Sequence, residues 1–255
     1  MTLAKTLSTA LAALAIGVAI PATAQTTPVK NIVLVHGAFA DGSSWAKVIP
    51  ILQAKGFNVT AVQNPLTSLA DDVATTRRAL ALQKGPVVLV GHSWAGTVIT
   101  EAGVDPKVAA LVYVAAFAPD ADETVGDLGK NYPPPPSFAA PIVDAQGFMS
   151  LPADAVAKQF AWDVPAAEAQ VLAATQKPIS TTAFAAKVSG VAWKTKPSWY
   201  IVAKQDRAIA PDEERFFAKR MKATTTELDT SHVPMLSKPD EVAAVIMEAA
   251  AKAPQ

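Results

Sequence analysis

The sequence predicts an α/β fold: a mostly parallel sheet with helices on both faces, interrupted by a helical cap insertion. Three observations predict it. Short apolar, β-branched runs alternate with stretches of helical periodicity. Most of those runs are apolar throughout rather than alternating, the pattern of strands buried on both faces. The rhythm then stops near residue 120 and resumes after residue 196. At 255 residues and 51% hydrophobic, the chain is long and apolar enough to bury one large core of this kind.

The elements follow in order. Ile32 to Val35 is a first strand. Trp45 to Lys55 reads as a helix stopped by Gly56, and Phe57 to Val62 as a second strand. Leu69 to Gln83 reads as a helix, with Ser68 and Asp71 spaced as a capping box. Lys84-Gly85-Pro86 ends it. Val87 to Val90 is a strand, followed by a tight turn and a helix through Ala102, and Ala109 to Ala115 is the next strand. From Phe117 to Lys196 no buried strand is expected. A proline run, Tyr132 to Pro136, precedes helical segments at Ala153 to Ala161, Ala166 to Gln176 and Thr181 to Val188. The rhythm returns with Trp199 to Ala203, a helix over Pro211 to Met221, a strand over Thr225 to Leu228, and a helix over Pro239 to Ala251. The expected organisation is a core of residues 25–119 and 197–255 with a cap of residues 120–196.

The first 24 residues are set apart. Lys5, the apolar stretch Leu7 to Ile20 and the Ala22-Thr23-Ala24 pattern form the layout of a secretory signal peptide cleaved after Ala24. The expectation is therefore an exported protein, periplasmic or secreted. The apolar stretch is alanine-rich and short of the roughly 20 strongly apolar residues a bilayer span needs, so no stable membrane span is expected. Lysine plus arginine equals aspartate plus glutamate, 22 each, which gives no electrostatic case for a nucleic-acid partner. Cysteine is absent, which excludes disulfides, thiolate metal sites and a cysteine nucleophile. Nothing in the sequence calls for a metal or a cofactor.

The strongest chemical signal is Gly91-His92-Ser93-Trp94-Ala95-Gly96, lying directly between a strand and a helix. A serine there sits on a sharp turn that lifts its hydroxyl above the sheet, with small neighbours because the backbone folds back on itself. Ala95 stands where the G-x-S-x-G pattern has glycine. A serine hydroxyl needs a base. The chain has three histidines, and only His232 follows the last strand, where the order nucleophile, acid, histidine places the base. His36 and His92 are expected to be structural or pocket-shaping. The acid should follow Trp199 to Ala203, which selects Asp206 over Asp212, Glu213, Glu214 and Asp120. His36-Gly37-Ala38-Phe39 ends the first strand. The glycine permits close approach to the nucleophile, so the backbone N–H groups of Ala38 and Trp94 are the expected oxyanion donors. Phe39, Trp94 and His36 are the expected pocket residues.

With these residues in order, the chain resembles the α/β-hydrolase superfamily over Asn31 to Phe117 and Pro197 to Ala251. Ile32 to Ala38 and His232-Val233-Pro234-Met235-Leu236 are similar to the branch holding plant methylesterases, hydroxynitrile lyases and related bacterial esterases. The lyases carry lysine directly after the histidine, where this chain has Val233. The resemblance therefore implies ester hydrolysis rather than cyanohydrin cleavage. Ser93, where epoxide hydrolases and haloalkane dehalogenases have aspartate, disfavours those activities. The implied reaction is cleavage of esters of small to medium apolar substrates through an acyl-enzyme. The residues leave open amide or lactone hydrolysis, perhydrolysis, cofactor-free oxygenation, and a weakly catalytic ligand sensor.

Overall fold

The computed structural model describes residues 29–254. The expected signal peptide, residues 1–24, lies outside them. Six strands form the central sheet: β1 (Asn31–Val35), β2 (Asn58–Ala61), β3 (Val87–His92), β4 (Val108–Val114), β8 (Ser198–Ala203) and β9 (Thr224–Leu228). Their spatial order is β2-β1-β3-β4-β8-β9, and every neighbouring pair is parallel. β1, β3 and β8 are buried along their whole length, as their unbroken apolar sequences require. β2 and β9 sit at the edges and are correspondingly more polar and exposed.

Parallel strands need crossovers, and helices supply them. α1 (Val48–Ala54) packs against the terminal helix α9 (Pro239–Lys252), and α2 (Leu69–Ala81) packs against α3 (Ala95–Ala102), one pair covering each face. α7 (Pro211–Arg220) connects β8 to β9 and leans on β8. The Ser68 hydroxyl accepts from the Asp71 N–H at 3.1 Å and so caps α2. The first predicted helix is divided: Gly42–Trp45 is a 3₁₀ turn, and α1 begins only at Val48.

The segment between β4 and β8 departs from expectation in several respects. Besides α4 (Val125–Leu128), α5 (Ala153–Ala155) and α6 (Ala166–Thr175), it holds a small antiparallel sheet of β5 (Ile142–Val143), β6 (Phe148–Ser150) and β7 (Ile179–Ser180). α5 runs directly into a wider π-helical turn, Val156–Phe160. The predicted helix at Thr181 to Val188 is a 3₁₀ turn over Thr181–Ala185, ended by Ala186 in an extended conformation. The short α8 (Pro234–Ser237) completes the elements, between β9 and α9. Among the described residues, no helix is long and apolar enough to cross a membrane.

Candidate active site

The site lies beyond the carboxyl ends of the parallel strands, where loops from β1, β3, β8 and β9 converge. Ser93 follows β3 with φ at +55°. A left-handed conformation at a non-glycine residue costs on the order of 1–3 kcal/mol and persists only where its surroundings enforce it. Here the Ser93 N–H donates to the Val114 carbonyl, and the Ser93 carbonyl accepts from the Phe117 N–H, both at 3.2 Å. The turn is thus pinned on both sides by the end of β4.

The small residues around Ser93 answer to measurable contacts. A Cβ on Gly91 would lie 2.7 Å from the Ala95 carbonyl oxygen, and one on Gly96 would lie 2.0 Å from the Phe117 carbonyl oxygen. The tightest crossing therefore falls on Gly96, which is why Ala95 fits where the usual pattern has glycine. A Cβ on Gly37 would meet Ser93 Cβ at 2.8 Å. That close approach brings the next amide, of Ala38, alongside the nucleophile turn. Neither the Ala38 N–H nor the Trp94 N–H donates to an acceptor among the described residues.

His232 lies after β9, buried, and its two ring nitrogens join the other predicted residues. Nε2 is 2.8 Å from Ser93 Oγ, and Nδ1 is 2.5 Å from Asp206 Oδ2. With the Nδ1 proton donated to Asp206, Nε2 is free to accept the serine hydroxyl proton. Asp206 Oδ1 accepts from the Ala208 and Ile209 N–H groups at 2.6 and 3.0 Å. These bonds fix the carboxylate while the other oxygen faces the imidazole. Three of the four rival acids are engaged elsewhere, and Glu213 is not. Asp120 pairs with Lys194, and Asp212 pairs with Arg215. Glu214 accepts from the Ala203 N–H at 3.0 Å; burial, then the neighbouring Asp206 charge, push its carboxyl well up.

The other two histidines are held neutral. The His92 Nε2–H donates to the His232 carbonyl at 2.7 Å, and burial drives its pKa well down. It anchors the loop carrying His232. The His36 Nδ1–H donates to the Gly37 carbonyl, and its Nε2 accepts from the Asn64 N–H at 2.9 Å. Burial lowers the His36 pKa to about 4. With both nitrogens committed to backbone and no exposed surface, His36 shapes the loop after β1 and forms no part of a pocket wall, which corrects the expectation for it.

A cavity of about 420 Å³ adjoins the elbow. Phe117, Phe138, Met149 and Phe184 line it, together with Glu213. Of the expected pocket residues, Phe39 lines a second, smaller cavity with His92, Phe160 and Val233, and Trp94 lies one layer back. Trp94 is fully buried, packs edge-on against Phe184 at 5.5 Å, and donates its indole N–H to Asp72 Oδ2 at 2.8 Å. Phe39, at φ +61°, packs against Phe138 and Phe160.

Three supporting residues escape sequence reasoning. Asp72 accepts from both the Trp94 indole and the Leu66 N–H, so it ties α2 to the residue after Ser93. Asp163 accepts from the Ser231 N–H at 2.8 Å, and Phe160 stands edge-on to the His232 ring at 4.7 Å. Among the described residues, no group of histidine, aspartate and glutamate is arranged to hold a metal ion.

Known proteins resemble this chain in family and fold. The model of the alpha/beta hydrolase family matches residues 32–245. Methylesterase 7 of Arabidopsis thaliana is 29% identical over 254 residues, spanning 88% of this chain and 97% of its own. A pyrethroid hydrolase of Sphingobium wenxiniae is 26% identical over 248 residues, spanning 86% of this chain and 87% of its own. The crystal structure of polyneuridine aldehyde esterase superimposes with a TM-score of 0.75 at 20% identity, over 86% of this chain and 98% of that one. The parallel six-stranded sheet, the serine elbow after β3 and the family match over most of the chain lead to one conclusion: the protein belongs to the alpha/beta hydrolase family.

Proposed function

We propose that the protein is a serine esterase that cleaves carboxylic esters of small to medium apolar substrates through an acyl-enzyme. The observation that carries this reading is the hydrogen-bonded chain from Ser93 Oγ through His232 to Asp206. In this reading Ser93 Oγ attacks the ester carbonyl as His232 Nε2 takes its proton. Asp206 stabilises the imidazolium, and the Ala38 and Trp94 N–H groups receive the developing oxyanion. His232 then protonates the departing alcohol. A water activated by the same nitrogen releases the acid and restores Ser93.

The apolar cavity beside the elbow supports an apolar substrate. Relatives named as a methylesterase and a pyrethroid hydrolase support an ester bond as the target. Val233 after His232, in place of lysine, favours hydrolysis over cyanohydrin cleavage. The test is incubation of intact protein with a fluorophosphonate, mass mapping of the adduct, and hydrolysis of short p-nitrophenyl esters. A Ser93 adduct and loss of turnover in Ser93→Ala are expected. An unlabelled Ser93, or a Ser93→Ala variant with undiminished turnover, refutes the reading. Export belongs to the same proposal on the strength of residues 1–24, and a mature N-terminus at Gln25 is its expected signature.

A further inference from the structure

The walls of the cavity beside the elbow are apolar except at Glu213 and Lys130. Lys130 is committed, its ammonium 2.6 Å from Asp127. Glu213 is not. It is 4% exposed, and its Oε1 is buried without a hydrogen-bond partner. Its neighbours in the first turn of α7 are both engaged, Asp212 with Arg215 and Glu214 with the Ala203 N–H. The helix dipole favours acids in this turn, but it gives no reason to bury one against a cavity. A buried carboxyl lacking a donor is destabilising, a cost that an apolar residue there would avoid.

The surroundings also specify the sign of the missing partner. Asp206, Glu214, Tyr132 and Tyr200 are the titratable groups that interact with Glu213, all of them acids. Arg220, a cation that acts on Tyr132, is paired with Glu123. Burial, then the Asp206 charge, raise the Glu213 carboxyl to about 7, so it ionises near neutrality. Two walls of the cavity touch the elbow: the N–H of Phe117 donates to the Ser93 carbonyl, and Phe184 packs on Trp94.

We propose that Glu213 is a specificity residue that receives a protonated amine at the end of the substrate distant from the ester bond. The proposal rests on the esterase reading of Ser93 and names its substrate class: apolar esters bearing a basic nitrogen. The test compares the butanoate ester of dimethylaminopropanol with that of its carbon isostere, in which a CH replaces the nitrogen. The readout is the ratio of their kcat/KM values in the wild type and in Glu213→Gln, which keeps size and burial but cannot ionise. A wild-type ratio of about ten is expected, residing in KM and falling towards one in Glu213→Gln. The wild-type ratio should also fall as pH drops through about 7, because Glu213 then takes up a proton. The proton equilibria of the reacting groups cancel in the ratio.

Binding of the two corresponding ethers, which Ser93 cannot cleave, is measured by calorimetry on both proteins. The amine ether should bind the wild type about tenfold more tightly than its isostere and lose that advantage in Glu213→Gln. A wild-type preference of one or less, or one that survives in Glu213→Gln, overturns the proposal. If neither ester turns over and Ser93 resists the fluorophosphonate while the Glu213-dependent ether preference holds, the esterase reading fails and the amine site stands.

Discussion

Replacing Gly96 with alanine sets two effects of opposite sign against each other. Within a helix, glycine is about 1 kcal/mol less favourable than alanine, so propensity alone predicts a gain in α3. The structure predicts a larger loss. The new methyl carbon would lie 2.0 Å from the Phe117 carbonyl oxygen and 2.9 Å from Ala116 Cβ. Both obstacles belong to the main chain or sit directly on it, so no side-chain rotation relieves them. The 116–117 segment must retreat by more than about 1 Å to restore van der Waals distance. That retreat pulls on the Phe117 N–H bond that pins Ser93. Overpacking of this kind costs up to about 3 kcal/mol, which outweighs the helix gain. The net loss is up to about 2 kcal/mol, and for a chain of this size each kcal/mol corresponds to about 2–4 °C, so Tm should fall by ~4–8 °C. Displacing a nucleophile by about 1 Å costs on the order of a hundredfold in rate, so kcat/KM should fall by about that factor. Calorimetry and ester kinetics read the two effects, with Gly129→Ala as the stability control, since a Cβ there meets nothing within 4 Å. A Gly96→Ala protein with unchanged Tm and kcat/KM within twofold of wild type would refute the steric account of the elbow.

Three further outcomes are expected. Asp206→Asn should lower kcat by about 10⁴-fold with only a small change in Tm, because the amide cannot hold the His232 tautomer that accepts from Ser93; a loss under tenfold contradicts the assigned role. His92→Phe removes the N–H bond to the His232 carbonyl, and rates should drop about 5- to 100-fold while fluorophosphonate still labels Ser93, if slowly. Asp72 is raised from 3.8 to about 6 by burial, against the opposing pull of its Trp94 and Leu66 hydrogen bonds. The folded state thus binds its proton more tightly than the unfolded state. The stabilisation is complete below about pH 4 and is lost as pH rises to about 6, a change of about 3 kcal/mol. Urea unfolding across that range should show the slope in wild type and not in Asp72→Asn, and parallel profiles would count against it.

The central strands are legible because each is an unbroken apolar run bounded by glycine, proline or polar residues. The small sheet in the insertion is not. β5 and β7 have two residues each, too few for any period, and Ile142 and Val143 are exposed. The Ser93–His232–Asp206 grouping could be read because three histidines and one chain order left few candidates. Its supports could not. Asp72 meets Trp94 across 22 residues, and Asp163 meets Ser231 across 68. No local pattern marks either contact. Glu213 shows the same limit from the other side: as the third letter of a helix start it looks like an ordinary dipole-favoured acid, and only the fold reveals that it is buried against a cavity.

The insertion between β4 and β8 has a consequence for anyone who would engineer this enzyme. Phe160 stands against the His232 ring, Asp163 holds the amide before that histidine, and Trp162 reaches the carbonyl of Gln205, next to Asp206. All three belong to the inserted segment. Exchanging it for that of a relative would also replace the brace behind His232 and Asp206. The segment is therefore not a modular attachment. A productive chimera would have to carry Phe160, Trp162 and Asp163 across the junction and confine its variation to the residues that face the substrate.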